Sequence, residues 1–187
     1  MVVRTPTMLH DQHMPILPTD RDPRLITERR GGTLTDEDHH LLAEWAIACV
    51  EGVLPLFEQV APDDPRPRDA LDVARAWIRG DAAMKDAHRA AFPANAAGRG
   101  LPDPARYAAL AAGQAVAVAH VAAHDLGAAA YAIRATVADA TAQGRDAESA
   151  RLAERDRQRA LLPAQVRDLV LDDQRRRSPI CWDVFDD

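Results

Sequence analysis

Residues 103–142 read DPARYAALAAGQAVAVAHVAAHDLGAAAYAIRATVADATA, and this stretch decides the fold. Nearly half of it is alanine, the residue with the highest intrinsic helix propensity, and no proline follows Pro104. Asp103 and Pro104 form a start signal: a carboxylate suited to capping free amides, then a proline at the first helical position. As one rod the stretch would run roughly 60 Å at about 1.5 Å per residue. A compact chain of this length has a radius of gyration of only roughly 16 Å, so the rod must fold back on itself. The break is expected near Ala123–Gly127, with Asp125 capping the second helix. Small faces, Ala111, Ala115, Ala119 and Ala122 on one side and Ala128, Ala132 and Ala135 on the other, let neighbouring helices approach closely. The expectation is a central alanine-rich hairpin around which larger side chains pack.

Composition sets the bounds. A chain of 187 residues buries a real core as one domain, and 47% hydrophobic with 28% charged residues is ordinary for a soluble globular protein. Aromatics are only 4%, so the core must be built from alanine, leucine and valine, with three tryptophans as large fillers. The net charge of −6 argues against a nucleic-acid binder, which would carry a basic stripe. Two cysteines, Cys49 and Cys181, give neither a disulfide framework nor a zinc knuckle, and Cys49 falls on an apolar helical face. Prolines and charged residues interrupt the N-terminus, so no apolar run of signal-peptide length occurs there. Even the alanine run contains His120, His124, Asp125 and Arg134, so no membrane span is expected. A cytoplasmic protein follows.

Outward from the hairpin, helical periodicity covers most of the chain. Thr35 caps a helix whose first turn carries Asp36, Glu37 and Asp38, and Leu42, Trp45, Ala46, Cys49, Val50 and Val53 form its apolar face. Pro55 must kink or restart it. Pro67 opens a helix through Arg79 with Gly80 as its stop, and Asp81 caps another whose inner face is Met84, Ala87, Ala91 and Phe92, ended or bent at Pro93. After Gly144 a charged helix spans about Asp146–Leu161, and Pro163 opens a last one with Val166, Leu169 and Val170 inward. Arg175, Arg176 and Arg177 sit where cations suit a helix C-terminus. The fold class is therefore all-α, with about seven helices packed as antiparallel pairs. Residues 1–33 form a proline-rich arm, flexible or loosely docked, 34–177 the helical domain, and 178–187 an apolar–acidic tail fit to dock as an extended segment.

Candidate chemistry is sparse. His120 and His124 are four apart, so on a continuous helix they share a face and are candidate metal ligands. Neither a His-Glu-x-x-His nor a Glu-x-x-His pattern accompanies them, and interior histidines usually bond a carbonyl or carboxylate. The expectation is that both are mostly buried and order the hairpin, with no metal, no cofactor and no catalytic residues; a metal-binding enzyme or sensor centred on this pair is the alternative. His39 and His40 open a helix in a solvated first turn, His88 is isolated among alanines, and His10 and His13 lie in the arm. GRG at 98–100 lacks the setting of a phosphate loop, and Ser149 and Ser178 lack a nucleophile-elbow context. Arg66, Arg68, Arg75 and Arg79 read as a solvated, salt-bridged face.

The run VAHVAAHDLGAAAYAIRA, residues 118–135, resembles the signature of the bacterial putative immunity proteins, a helical family tied to polymorphic toxins. Ala117, Ala119, His120, Val121, His124, Gly127, Ala128, Ala129, Tyr131, Ala132 and Ala135 match it as they stand. EWAIACVEGVLPLFE (44–58), DDPRPRDALDVARAWIRG (63–80) and ERDRQRALLPAQVRDLVL (154–171) resemble its flanking blocks. Four positions depart: Val118 stands for the family's threonine, Asp125 for alanine, Arg134 for lysine and Arg157 for tryptophan. The resemblance implies a non-enzymatic protein that binds and neutralises a cognate toxin domain. An acidic surface on it would complement a basic, nuclease-like partner. The resemblance designates no catalytic residues and no toxin-contact surface.

Overall fold

The structure, a computed structural model, describes residues 16–187. His10 and His13 lie outside the described residues. Eight α-helices occur among them: α1 (Asp36–Glu51), α2 (Leu54–Glu58), α3 (Arg66–Ile78), α4 (Met84–Ala97), α5 (Asp103–Ala117), α6 (His124–Ala142), α7 (Ala147–Ala160) and α8 (Ala164–Arg177). Short 3-10 turns at Pro23–Leu25, Glu28–Arg30 and Ser178–Cys181 complete the order, and an isolated bridge joins Thr27 to Leu34. The protein is an all-α single domain. No described helix is long and apolar enough to cross a membrane.

Local chemistry explains most boundaries. The Thr35 hydroxyl accepts from the Asp38 amide at 3.1 Å, so three acidic residues meet the positive end of α1. Asp146 caps α7 in the same way through the Ser149 amide at 2.6 Å. Pro55 falls in the first turn of α2, where its missing N–H costs nothing, and this restart adds the eighth helix. α4 differs from its sequence reading. Its cap is Ala83 rather than Asp81, and it runs on through Pro93 to Ala97. Phe92 and Pro93 lie on the exposed side, whereas Ala87, Ala91, Ala94 and Ala97 are buried against the neighbouring helices. That packing outweighs the roughly 3 kcal/mol that an interior proline costs. Met84 and Phe92, expected to face inward, are among the exposed large hydrophobic residues.

α5 and α6 are the centre of the fold and carry most of the fully buried alanines. Their backbones come close to their neighbours because so many side chains are methyl groups. At Gly98 a Cβ would lie 2.9 Å from the Arg106 carbonyl oxygen of α5 and 3.2 Å from the Ala109 Cβ. Replacing Gly98 with valine must therefore push α4 off α5. We expect a loss of about 1–3 kcal/mol, the usual cost of overpacking, seen as a lower urea midpoint at unchanged slope. A midpoint equal to wild type would show that the two helices are not held at this distance.

Both ends of the described chain dock on the helices. Ile16 and Leu25 are buried in the core, as are Cys181, Val184 and Phe185. The C-terminal tail is a 3-10 turn followed by two left-handed residues, Trp182 (φ 58°) and Asp183 (φ 55°), rather than an extended segment. Arginines of α7 hold it. Arg151 donates to the Val184 carbonyl at 2.9 Å, Arg159 to that of Phe185 at 2.8 Å, and Arg155 to that of Asp186. The arginines around α3 are ion-paired as a solvated face: Arg66 with Asp64, Arg68 with Glu58, Arg75 with Asp72 and Glu51, and Arg79 with Asp81.

Candidate functional site

The break in the central hairpin lies at 118–123, a few residues before the expected place, and it organises the polar chemistry of the molecule. The Ala117 carbonyl takes both the His120 amide (3.0 Å) and the Val121 amide (3.1 Å), which tightens the last turn of α5. Carbonyls freed at such a helix end must find donors when buried. Three side chains from distant elements supply them. His39 Nε2 donates to the Val118 carbonyl at 2.7 Å, Arg30 to that of His120 at 3.0 Å, and Arg177 to that of Ala123 at 2.9 Å. Because a carbonyl only accepts, His39 Nε2 carries a proton. Cations here also meet the negative end of the α5 dipole.

One face of this turn opens into a cleft of about 390 Å³. Arg21, Arg29, Arg30, His39 and His120 line it together with Trp77, Met84, Leu25, Ile26 and the 119–122 backbone stretch. Among the described residues no carboxylate lines it, in a chain whose net charge is −6. His88 of α4 stacks on His120 with ring centroids 4.4 Å apart, and His120 Nδ1 lies 3.4 Å from the Met84 sulfur. His39 and His40 meet the Trp77 ring edge-on at 4.9 and 4.8 Å. All five described histidines thus gather at this end of the molecule or next to it.

The two histidines singled out by sequence differ from one another. His120 sits in the turn, partly buried, with an edge open to the cleft. Partial burial, the neighbouring His88, and Arg30 and Arg21 all lower its pKa from the ordinary histidine value. His124 opens α6, so the two do not share one helix face. Its Nδ1 bonds the Gln114 side-chain oxygen at 2.7 Å, and burial with the Arg177 charge lowers its pKa to about 4. Among the described residues, no three His, Cys, Asp or Glu side chains are grouped to hold a metal ion. His39 was read as solvated and is instead buried. Its spacing of three before Leu42 and seven before Ala46 places it on the α1 apolar face, a signal available in the sequence.

Behind the turn lies a buried ionic knot that sequence reasoning missed. Arg177 is 4% exposed and donates to Asp173 at 2.7 Å and to the carbonyls of Ile16 and Ala123, each at 2.9 Å. The triplet 175–177 is therefore not a uniform solvated end. Arg177 turns inward, while Arg175 and Arg176 pair with Asp172 outside. Asp125, where the family reads alanine, is 1% exposed and sits in the first turn of α6 rather than at its cap. Its Oδ1 accepts from the Leu126 amide at 2.6 Å, and its Oδ2 has no partner among the described residues. Burial and the Asp173 charge raise its carboxyl to about 7, and burial raises Asp173 as well. One buried cation thus faces two carboxylates, and burial favours the neutral form of each.

The model of the Imm-5 like putative immunity protein family matches residues 32–165. The chain belongs to this family. No curated protein and no solved structure matches it. The matched span of this immunity-family chain runs from before α1 into the start of α8, and so includes His39, Trp77, Met84, His88, the hairpin turn and Asp125. Arg21, Arg30, Asp173 and Arg177 lie outside it. Two of the three donors that satisfy the turn are thus contributed by flanking segments.

Proposed function

We propose that this chain binds a cognate bacterial toxin domain in the cytoplasm and neutralises it. The observation that carries the reading is the family match over most of the helical domain, including the hairpin turn and its histidines. The net charge of −6 suits a basic toxin domain, because opposite net charges speed encounter and orient the partners. Neutralisation by binding needs a rigid, preformed surface rather than a reacting group, and a tightly packed alanine core with docked ends provides one.

Co-expression tests this. Toxin-like domains encoded beside the gene are produced with and without the chain in a sensitive host. The expected result is growth arrest by one such domain, relieved by the chain, with the two co-eluting on gel filtration. Arrest that persists at equal expression of the folded chain, for every adjoining domain, would defeat the proposal.

A further inference from the structure

We propose that the cleft beside the hairpin turn is a binding site for a small amphipathic oxyanion, a phosphate or carboxylate group joined to an apolar ring or short chain. The charged group would sit at Arg21, Arg30 and His120, and the apolar body against Trp77, Met84 and Leu25. The inference does not rest on the toxin-binding reading.

Charge points there first. The chain has six more negative than positive charges, yet among the described residues this cleft is lined by three arginines and two histidines and no acid. Most arginines elsewhere are taken. Those of α3, α7 and α8 pair with Asp or Glu or cap backbone carbonyls. At the cleft, Arg29 pairs with Asp36 and Arg30 has only the His120 carbonyl. Arg21 makes no hydrogen bond or ion pair among the described residues. Positive charge concentrated in a concave site, with only Arg29 of its arginines paired to a carboxylate, raises the local concentration of anions. Arginine forks and imidazole N–H groups are the donors that oxyanions accept from most strongly.

Shape gives the second half of the ligand. The cleft volume of about 390 Å³ is that of a small-molecule site. Leu25, Ile26, Val121, Trp77 and Met84 also line it, so an inorganic ion alone would leave the apolar part wet. The stacked imidazoles add a linkage. His120 faces His88 and Met84 from α4, Arg21 and Arg30 from the N-terminal segment, His39 from α1 and His124 from the start of α6. Its neighbouring charges are positive and hold its pKa down. A bound oxyanion reverses that field, so binding draws a proton onto His120 and tightens as pH falls through the histidine range.

The test is an NMR titration of the full chain, following the His120 and His88 imidazole resonances, at constant ionic strength set with sodium chloride. Phenyl phosphate, phenylacetate and inorganic phosphate are the probes. The expected result is a saturating response to phenyl phosphate or phenylacetate, tighter than to inorganic phosphate, with the His120 pKa raised on saturation. The stronger of the two aromatic probes identifies which oxyanion the site takes. Arg21→Glu, an exposed position whose loss leaves the helices untouched, weakens that response roughly tenfold or more, as does Arg30→Gln. A linear response no larger than that to chloride would overturn the inference. So would saturation unchanged in both variants, which would place the anion elsewhere, or equal affinity for phenyl phosphate and inorganic phosphate, which would remove the apolar half.

Discussion

Replacing Arg177 with methionine is expected to destabilise the protein by about 3–5 kcal/mol, the range found when one member of a buried ion pair is removed. The side chain is 4% exposed and bonds Asp173, the Ile16 carbonyl and the Ala123 carbonyl. Methionine fills much of the volume and satisfies none of the three. It leaves a carboxylate that is 2% exposed without its cation, and releases both the hairpin turn and the backbone at Ile16. Urea unfolding at pH 7 reads the loss as a shift in midpoint. Adding Asp173→Leu should restore part of it, since the stranded charge is then gone. A single variant within 1 kcal/mol of wild type would mean that the knot is not a structural bond of this fold.

The second large effect depends on pH. Asp125→Asn should become more stable relative to wild type as pH rises from about 4 to about 7. The folded-state carboxyl titrates at about 7, against 3.8 for a free side chain. Between these values the folded protein binds a proton that the unfolded chain does not, so wild-type stability falls with rising pH across that window. A gap of this size is worth on the order of 4 kcal/mol above pH 7. Asparagine keeps the acceptor for the Leu126 amide and does not titrate, so it escapes the loss. His124 pulls the other way: its ring stays neutral in the fold down to about 4, so its contribution is present above the unfolded value of 6.5 and fades as pH falls. Both proteins carry His124, so the difference between their stabilities isolates Asp125. A difference that is flat from pH 4 to pH 8 would show that Asp125 ionises normally.

Helix positions were readable where local signals agree. Thr35, Asp146, Pro55 and Pro163 fall where their chemistry predicts, and the alanine run had to break because no compact domain of this size holds so long a rod. Where the break lies and what holds it depend on distance in sequence. The donors to its carbonyls, His39, Arg30 and Arg177, lie 79, 90 and 54 residues from their acceptors. A weaker signal was present on α8. Val166, Val170, Asp173 and Arg177 recur at spacings of four, three and four, so two charges continue an apolar stripe inward. Composition hid this, because Arg177 follows two arginines that do face solvent. The cleft was invisible for another reason. Its arginines come from a segment without periodicity, and its two histidines from α1 and the hairpin turn.

On the proposed function, this immunity-family chain silences a toxin domain by occupying it. The direct measurement is a titration of the purified toxin domain that arrests growth with the purified chain, with the toxin's own activity as the readout. The predicted result is a linear fall in activity that reaches the baseline at one equivalent of chain, in the company of an isolable complex. Full toxin activity at a large excess of correctly folded chain would contradict the claim.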